Sequence, residues 1–137
     1  MTAQQGLAPV PTALSRPFWE GCARGELLLQ RCAGCGRHRY PPAEGCPSCR
    51  EPRAGWARAS GRGVVWSCAV VHQVYHPDLE AQVPYAVAVV ELEEGVRMVS
   101  NVVGVPAGAV EVGMPVAVVF EEAWGVTIPR FQPRGGA

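Results

Sequence analysis

The sequence contains no lysine and only one aspartate. Its 12 basic side chains are all Arg, and they balance 12 acidic ones, of which 11 are Glu. The absence of lysine excludes chemistry that uses a lysine Schiff base with a carbonyl substrate. The formal net charge of zero also lacks the basic excess expected of an autonomous nucleic-acid-binding domain.

The sequence also lacks a long apolar run. No stretch approaches the roughly 18 apolar residues that span a membrane, and residues 1–11 have neither the basic nor the apolar segment of a secretory signal. We therefore expect a cytoplasmic protein with no membrane association. In a reducing compartment, paired cysteines usually bind metal rather than form disulfides.

The charge is divided unevenly along a chain whose length suits one domain or two small modules. Residues 1–62 carry nine Arg and four Glu, or +5, whereas residues 63–137 carry three Arg and eight acidic residues, or −5. Both cysteine pairs fall in the first part, and the second is rich in Val. We predict a flexible arm over 1–12, a helix and ribbon over 13–58, and a β domain over 59–137.

The local pattern predicts a mainly β fold with one short helix. Ser15 as N-cap, Pro17 in the first turn and Gly25 as a stop favour a helix over about 15–24. A brief strand over 27–30 leads into Cys32, and the region from there to Trp56 has no useful hydrophobic periodicity. Five β-branched runs follow, with a tight turn at 93–95 between the second and third. The runs cover 64–71, 85–92, 96–103, 116–121 and 126–131. A five-stranded OB barrel is the first interpretation of these runs, and a small sandwich is the second.

Two CxxC pairs are the strongest chemical signal. Cys32 and Cys35 precede Cys46 and Cys49, with ten residues between the inner cysteines. Two such turns can present four thiolates to one tetrahedral metal ion, which favours structural Zn²⁺ because no coordination position stays open for catalysis. Iron in a rubredoxin-type site and a pair of disulfides remain alternatives.

Other titratable residues give weaker signals. His38, between the pairs, is interpreted as solvent-facing, and Cys22 and Cys68 as buried core thiols. His72 and His76 flank a strand end, where their spacing predicts no shared face, and the Glu pairs are interpreted as solvated charges. No motif of a known catalytic class occurs, so we assign no catalytic residue.

The chain resembles the domain of unknown function 35 family over about 15–133. The residues that carry the resemblance are Pro17-Phe18-Trp19, Leu29-Gln30-Arg31-Cys32-Ala33-Gly34-Cys35-Gly36, Tyr40-Pro41-Pro42, Cys46-Pro47-Ser48-Cys49, Trp56, Ser60-Gly61-Arg62-Gly63, Pro84-Tyr85, Val90-Glu91-Leu92 with Glu94-Gly95, Gly113-Met114-Pro115-Val116 and Phe131-Gln132-Pro133. The resemblance implies an N-terminal helix, a rubredoxin-like zinc ribbon and a C-terminal OB fold.

The resemblance also implies a function. Members of this family are similar to accessory subunits of thiolase-superfamily enzymes that act on acyl-CoA, including acyltransferases and aldolases that cleave steroid side-chain CoA esters. The expected assembly is a hetero-oligomer with a thiolase-like subunit, in which this chain is not catalytic alone. Arg groups recognise phosphates bidentately, and aromatic and Arg residues are common interface anchors. The candidate acyl-CoA or partner contacts are Arg16, Phe18, Trp19, Arg31 and Tyr85.

Two other functions are weighed against this one. Zinc ribbons and OB folds also occur in modules that bind single-stranded nucleic acid. The −5 charge of the β domain and its few aromatic residues disfavour that alternative. A free-standing enzyme, or a redox protein of the rubredoxin type, is the third possibility.

Overall fold

The structure is a computed structural model that describes residues 8–135. Most of the predicted arm over 1–12 therefore lies outside the described residues. One helix, a small ribbon sheet and a barrel follow one another along the chain. They are α1 (Arg16–Ala23), the ribbon strands β1 (Leu28–Cys32), β2 (His38–Arg39) and β3 (Ala54–Arg58), and the barrel strands β4 (Arg62–Val71), β5 (Tyr85–Leu92), β6 (Arg97–Val102), β7 (Pro115–Ala123) and β8 (Val126–Pro133).

The predicted helix is confirmed, with its ends within one residue of the expected bounds. Ser15 occupies the N-cap position, but its side chain accepts no capping hydrogen bond from a backbone N–H of the helix. Its hydroxyl instead accepts a hydrogen bond from the Thr12 backbone N–H at 2.9 Å. Pro17 lies in the first turn, and Gly25 ends the helix with a φ of +79°, a conformation that glycine adopts without strain.

The ribbon sheet has β1 in the centre, antiparallel to both β2 and β3. The strand predicted over 27–30 is confirmed as β1, one residue later at its start. The other two strands were not predicted from the sequence. They lack alternating apolar residues, and backbone pairing with β1 defines them.

The barrel is closed in the order β4-β5-β6-β8-β7. All neighbours are antiparallel except β6 and β8, which meet in parallel through Val102 and Phe131. This is an OB fold, so the first interpretation is confirmed and the sandwich is wrong. The predicted turn at 93–95 is also confirmed, since Gly95 N–H donates to the Leu92 carbonyl at 2.9 Å.

Two glycines lie where the chain passes from the ribbon into the first strand of the barrel. Gly61 has a φ of +82°, and a Cβ at Gly63 would lie 2.5 Å from the Glu91 carbonyl oxygen. Strand β4 begins here and pairs with β5 on one side and β7 on the other. The close approach of β4 to β5 therefore requires the absence of a side chain at Gly63.

One hydrophobic core joins the helix, the base of the ribbon and the barrel. Phe18, Cys22, Leu27 and Leu29 belong to the same buried cluster as the inward-facing barrel residues. Within the described chain, the buried apolar residues between 31 and 58 are limited to Cys32 and Cys46. The outer part of the ribbon thus contributes almost nothing to the core.

We expect Val90→Ala to lower the free energy of unfolding by about 2–3 kcal/mol, because Val90 is 0% exposed on β5 and its methyl groups would leave a cavity. The matched control is Val99→Ala on the neighbouring strand, where Val99 is 65% exposed. Urea unfolding of both variants tests the prediction. Equal losses would contradict the assignment of the core to this face.

Candidate metal centre and barrel cleft

The four cysteines of the CxxC pairs converge at the outer end of the ribbon. Their Sγ atoms all lie within 4.8 Å of one another. Cys32 Sγ lies 3.5 Å from Cys49 Sγ, and Cys35 Sγ lies 3.6 Å from Cys46 Sγ. A tetrahedral ion with Zn–S bonds of about 2.3 Å needs S–S separations of about 3.8 Å. The donor set therefore fits one four-coordinate zinc ion.

Backbone N–H groups stabilise the thiolate form of one cysteine in each pair. The N–H groups of Cys35 and Gly34 donate to Cys32 Sγ at 3.4 and 3.3 Å and lower its pKa. The N–H groups of Cys49 and Ser48 donate to Cys46 Sγ in the same way, and the pKa of Cys46 falls to about 6. Because metal ions bind thiolates, these hydrogen bonds prepare the site for a cation.

The structure separates the four-cysteine cluster from two of the alternatives, disulfides and a histidine ligand. All six are free thiols, so the disulfide alternative is wrong. His38 is not a member of the four-residue cluster; it is half buried and lines a cleft with Glu94, so its predicted solvent-facing position is only partly correct. Four sulfur ligands leave no open position for a metal-bound water.

The two remaining cysteines differ in burial. Cys22 is 0% exposed in the core, as predicted, and burial raises its pKa to about 12. Cys68 is only half buried, and its thiol lies 3.7 Å from the Val110 carbonyl. A bulge between Val65 and Ser67 interrupts the alternation of β4 just before Cys68, which explains the incomplete burial.

The predicted contact residues lie on three elements: Arg16, Phe18 and Trp19 on α1, Arg31 on β1 and Tyr85 on β5. Phe18 is 2% exposed and packs against Trp19 and Tyr40, with ring centroids 4.9 and 5.5 Å away. This burial favours the packing role of Phe18 in the core over a role as a partner contact. Trp19 is half buried, and Arg16 is exposed at the start of the helix. Arg31 is exposed beside the metal loops, where its Nε donates to the Gly36 carbonyl at 3.1 Å.

Tyr85 lines a cleft of about 420 Å³ where β6 meets β8. The floor includes Arg130, whose side chain is 9% exposed and whose Nε lies 2.9 Å from Glu121 Oε1. Arg130 also donates to Asn101, which in turn donates to the Ala86 carbonyl at 3.0 Å. The cleft combines an aromatic wall with a fixed polar network, which is typical of a binding site.

This polar network was not predicted from the sequence. Arg130 is the one charged residue in the predicted strand over 126–131, which was a usable signal for a buried ion pair. Asn101 and Glu121 gave no comparable signal. By contrast, His72 is exposed on the loop after β4, and His76 Nδ1 accepts a hydrogen bond from the Asp78 N–H at 3.1 Å as a local turn contact.

The outer face of β4, β5 and β6 is apolar rather than basic. Trp66 is 48% exposed, and Arg97 Cζ lies 3.9 Å from the centre of its ring. Arg97 also forms an ion pair with Glu91 at 3.4 Å. Val99 is exposed on the same side of the sheet, opposite Val89. This is the face on which OB folds commonly bind oligonucleotides.

The fold and the cysteine cluster together define a zinc-ribbon protein with a C-terminal OB barrel. Two family models match the chain: "ChsH2, rubredoxin-like zinc ribbon domain" over residues 19–53 and "ChsH2, C-terminal OB-fold domain" over residues 56–121. A DUF35 domain-containing scaffold protein of Methanocaldococcus jannaschii is 41% identical over 95 residues, or 69% of this chain and 67% of that protein. The chain belongs to the domain of unknown function 35 (DUF35) family.

Two longer relatives carry enzyme names. A probable enoyl-CoA hydratase alpha subunit of Thermomonospora curvata is 41% identical over 94% of this chain and 41% of its own length. A 3-oxo-4,17-pregnadiene-20-carboxyl-CoA hydratase alpha subunit of Mycobacterium tuberculosis is 36% identical over 80% of this chain and 37% of its own length. The chain thus spans about two fifths of these relatives.

A solved structure named Ltp2-ChsH2(DUF35) aldolase contains a similar chain. The match has a TM-score of 0.82 and 38% identity, and it covers 91% of this chain and 98% of that one. The family assignment, the zinc ribbon and the OB fold agree with the expectations drawn from the resemblance. Within residues 8–135, no helix has the length and apolarity to cross a membrane.

We expect Cys35→Ser to lower the zinc content of the purified protein well below one ion per chain, because the site would lose one of its four sulfur donors. Cys68→Ser is the matched control, since Cys68 lies outside the cluster. Metal analysis by mass spectrometry measures both. Full zinc content in Cys35→Ser would exclude the four-cysteine ligand set.

We expect iodoacetamide at pH 8 to modify Cys68 faster than Cys22 in the folded protein. Cys22 is fully buried with a raised pKa, so its unreactive thiol form persists at this pH, whereas Cys68 is partly accessible. Peptide mass spectrometry after timed quenching gives the two rates. The core position of Cys22 would be refuted by equal labelling before unfolding, and both cysteines should react once the chain is denatured.

Proposed function

We propose that this chain is a non-catalytic accessory component of a thiolase-like enzyme that acts on acyl-CoA. Zinc bound by Cys32, Cys35, Cys46 and Cys49 would hold the ribbon in a fixed shape. The observation that carries the proposal is the similarity to the Ltp2-ChsH2(DUF35) aldolase along almost the whole of the matched chain. A shared shape over that length favours a shared position in an assembly.

The site chemistry favours a structural role for the metal. Four thiolates fill a tetrahedral shell, so zinc could neither activate water nor polarise a substrate carbonyl there. The Arg130 network in the barrel cleft offers positioning groups but no activated nucleophile. Chemistry on the substrate would therefore come from the partner subunit.

Coenzyme A esters are the proposed substrate class. The names of two relatives include CoA esters, and one of these compounds is the CoA ester of a steroid side-chain acid. The aldolase name of the structural match favours retro-aldol cleavage of such an ester over acyl transfer. Arg16 and Arg31 are exposed guanidinium groups suited to phosphates of the cofactor, and Tyr85 could contact the ligand or partner from the barrel cleft.

The surface of the barrel weighs against a nucleic-acid-binding role. Its outer sheet face has one exposed Trp, and the nearby Arg97 is already paired with Glu91. Binding of single strands normally needs several stacking platforms in a basic groove.

The free cysteines support the proposal of a reducing, cytoplasmic location.

The proposal is tested by co-expressing the chain with a thiolase-like subunit from the same organism. We expect a stable hetero-oligomer that cleaves a steroid side-chain CoA ester, whereas each separated component is inactive or nearly so. Size-exclusion chromatography and thioester product analysis measure assembly and activity. Cleavage by the isolated chain, or full activity of the partner without it, would contradict the accessory role.

We expect Trp19→Ala to weaken assembly by about tenfold or more while zinc content stays at one ion per chain. Trp19 is a residue of α1 whose side chain is half buried. Large aromatic side chains commonly dominate the binding energy of protein interfaces. Titration of the variant against the partner subunit gives the affinity, and metal analysis shows that the ribbon is intact. Unchanged affinity would place Trp19 solely in the packing of the helix.

A further inference from the structure

Arg39, on β2, is a buried cation whose guanidinium forms no ion pair or hydrogen bond within residues 8–135. The residue is 5% exposed. Its Nε, Nη1 and Nη2 atoms are all shielded from solvent, and none has a hydrogen-bond partner among residues 8–135. A buried unpaired guanidinium is strongly unfavourable, so this position requires a compensating negative charge.

The nearby carboxylate does not satisfy this requirement. Glu51 has its pKa lowered to about 2, chiefly by the side-chain and backbone hydrogen bonds from Arg53, with a smaller effect of the Arg39 charge. Both Glu51 oxygens accept hydrogen bonds from the Arg53 guanidinium, at 2.9 and 3.1 Å. A ligand from solvent cannot reach the Arg39 nitrogens because they have no accessible surface.

The strand register places Arg39 close to the metal site. Arg39 pairs with Gln30 on β1, and Cys32 lies two residues further along that strand. Residues related in this diagonal way share one face of a sheet and lie about 7–8 Å apart. Arg39, Gln30 and Cys32 are all buried, as expected of a shared interior face.

We propose that Arg39 is the internal counter-charge of the zinc-thiolate centre. One Zn²⁺ ion and four thiolates carry a combined charge of −2, and this charge would arise in the same small sheet as the unpaired guanidinium. The proposal rests on the ligand assignment given above. It explains why a buried Arg without a carboxylate partner is tolerated at this position.

Burial distinguishes Arg39 from the other Arg residues around the metal loops. Arg31 and Arg37 are exposed and donate to loop acceptors, Arg31 to the Gly36 carbonyl and Arg37 to Ser48 Oγ. Solvent and salt screen such charges strongly, whereas a shielded charge acts through a lower effective dielectric. The contribution of Arg39 to zinc binding should therefore exceed theirs and persist in salt.

The test is the zinc affinity of Arg39→Met, measured on the full chain by competition with a chromophoric chelator. Methionine keeps much of the length of the side chain but removes its charge. We expect zinc binding to weaken by about 10–100-fold, the range typical of groups that support metal ligands from outside the coordination shell. The loss should remain when the salt concentration is raised fivefold.

Two further variants separate charge from packing. Arg39→Lys retains the charge and should bind zinc within a few-fold of the wild type. Arg58→Met removes an exposed Arg at the opposite end of the ribbon sheet, opposite Leu28, and should leave zinc affinity unchanged. Urea unfolding of the barrel in each variant confirms that the chain is folded.

The outcomes distinguish this proposal from the ligand assignment on which it rests. Wild-type affinity in Arg39→Met, or an equal loss in Arg39→Lys, would overturn the counter-charge role. A wild-type chain that binds no zinc would overturn the ligand assignment itself. If Arg39→Met does not fold, Arg39→Gln carries the same prediction, and Arg39→Lys alone still refutes the proposal if its zinc binding is weakened about tenfold.

Discussion

The cluster of four metal-binding thiols stabilises the fold of the ribbon, whereas apolar burial stabilises the rest of the chain. Between residues 31 and 58, Cys32 and Cys46 are the buried apolar residues of the described chain, and Tyr40 and Trp56 are partly buried against the core. Structural zinc supplies roughly 10–16 kcal/mol of apparent binding free energy, enough to replace a missing core. The shape of the metal loops at the outer end of the ribbon therefore depends on this one coordination centre.

The fold of the barrel does not depend on zinc coordination. Its core side chains face inward from five strands, and the helix and the base of the ribbon extend the same cluster. This division suits a component that positions other molecules. The barrel has a cleft lined by the Arg130 network, and the ribbon presents exposed Arg groups beside the metal loops.

The regular parts of the fold could be predicted from the sequence because they have local signals. Runs of β-branched residues identified the barrel strands, and the CxxC pairs identified the metal site. Strands β2 and β3 have no such pattern. They could not be predicted because only their backbone pairing with β1 defines them. Arg39 could not be assigned as buried, because a charged residue is normally exposed and only the tertiary arrangement reverses that expectation. Phe18 was ambiguous for a related reason: an aromatic residue on a short helix suits a core and an interface equally.

Amide hydrogen exchange, with and without a zinc chelator, tests the central claim most directly. The claim is that metal binding holds the ribbon and apolar burial holds the barrel. Zinc removal should therefore abolish protection of the Cys32 and Cys46 amides, which donate to Arg37 and Glu51 carbonyls, while barrel amides such as Val118 stay protected. Unchanged protection of the ribbon amides in the zinc-free protein, or simultaneous loss in both parts, would contradict it.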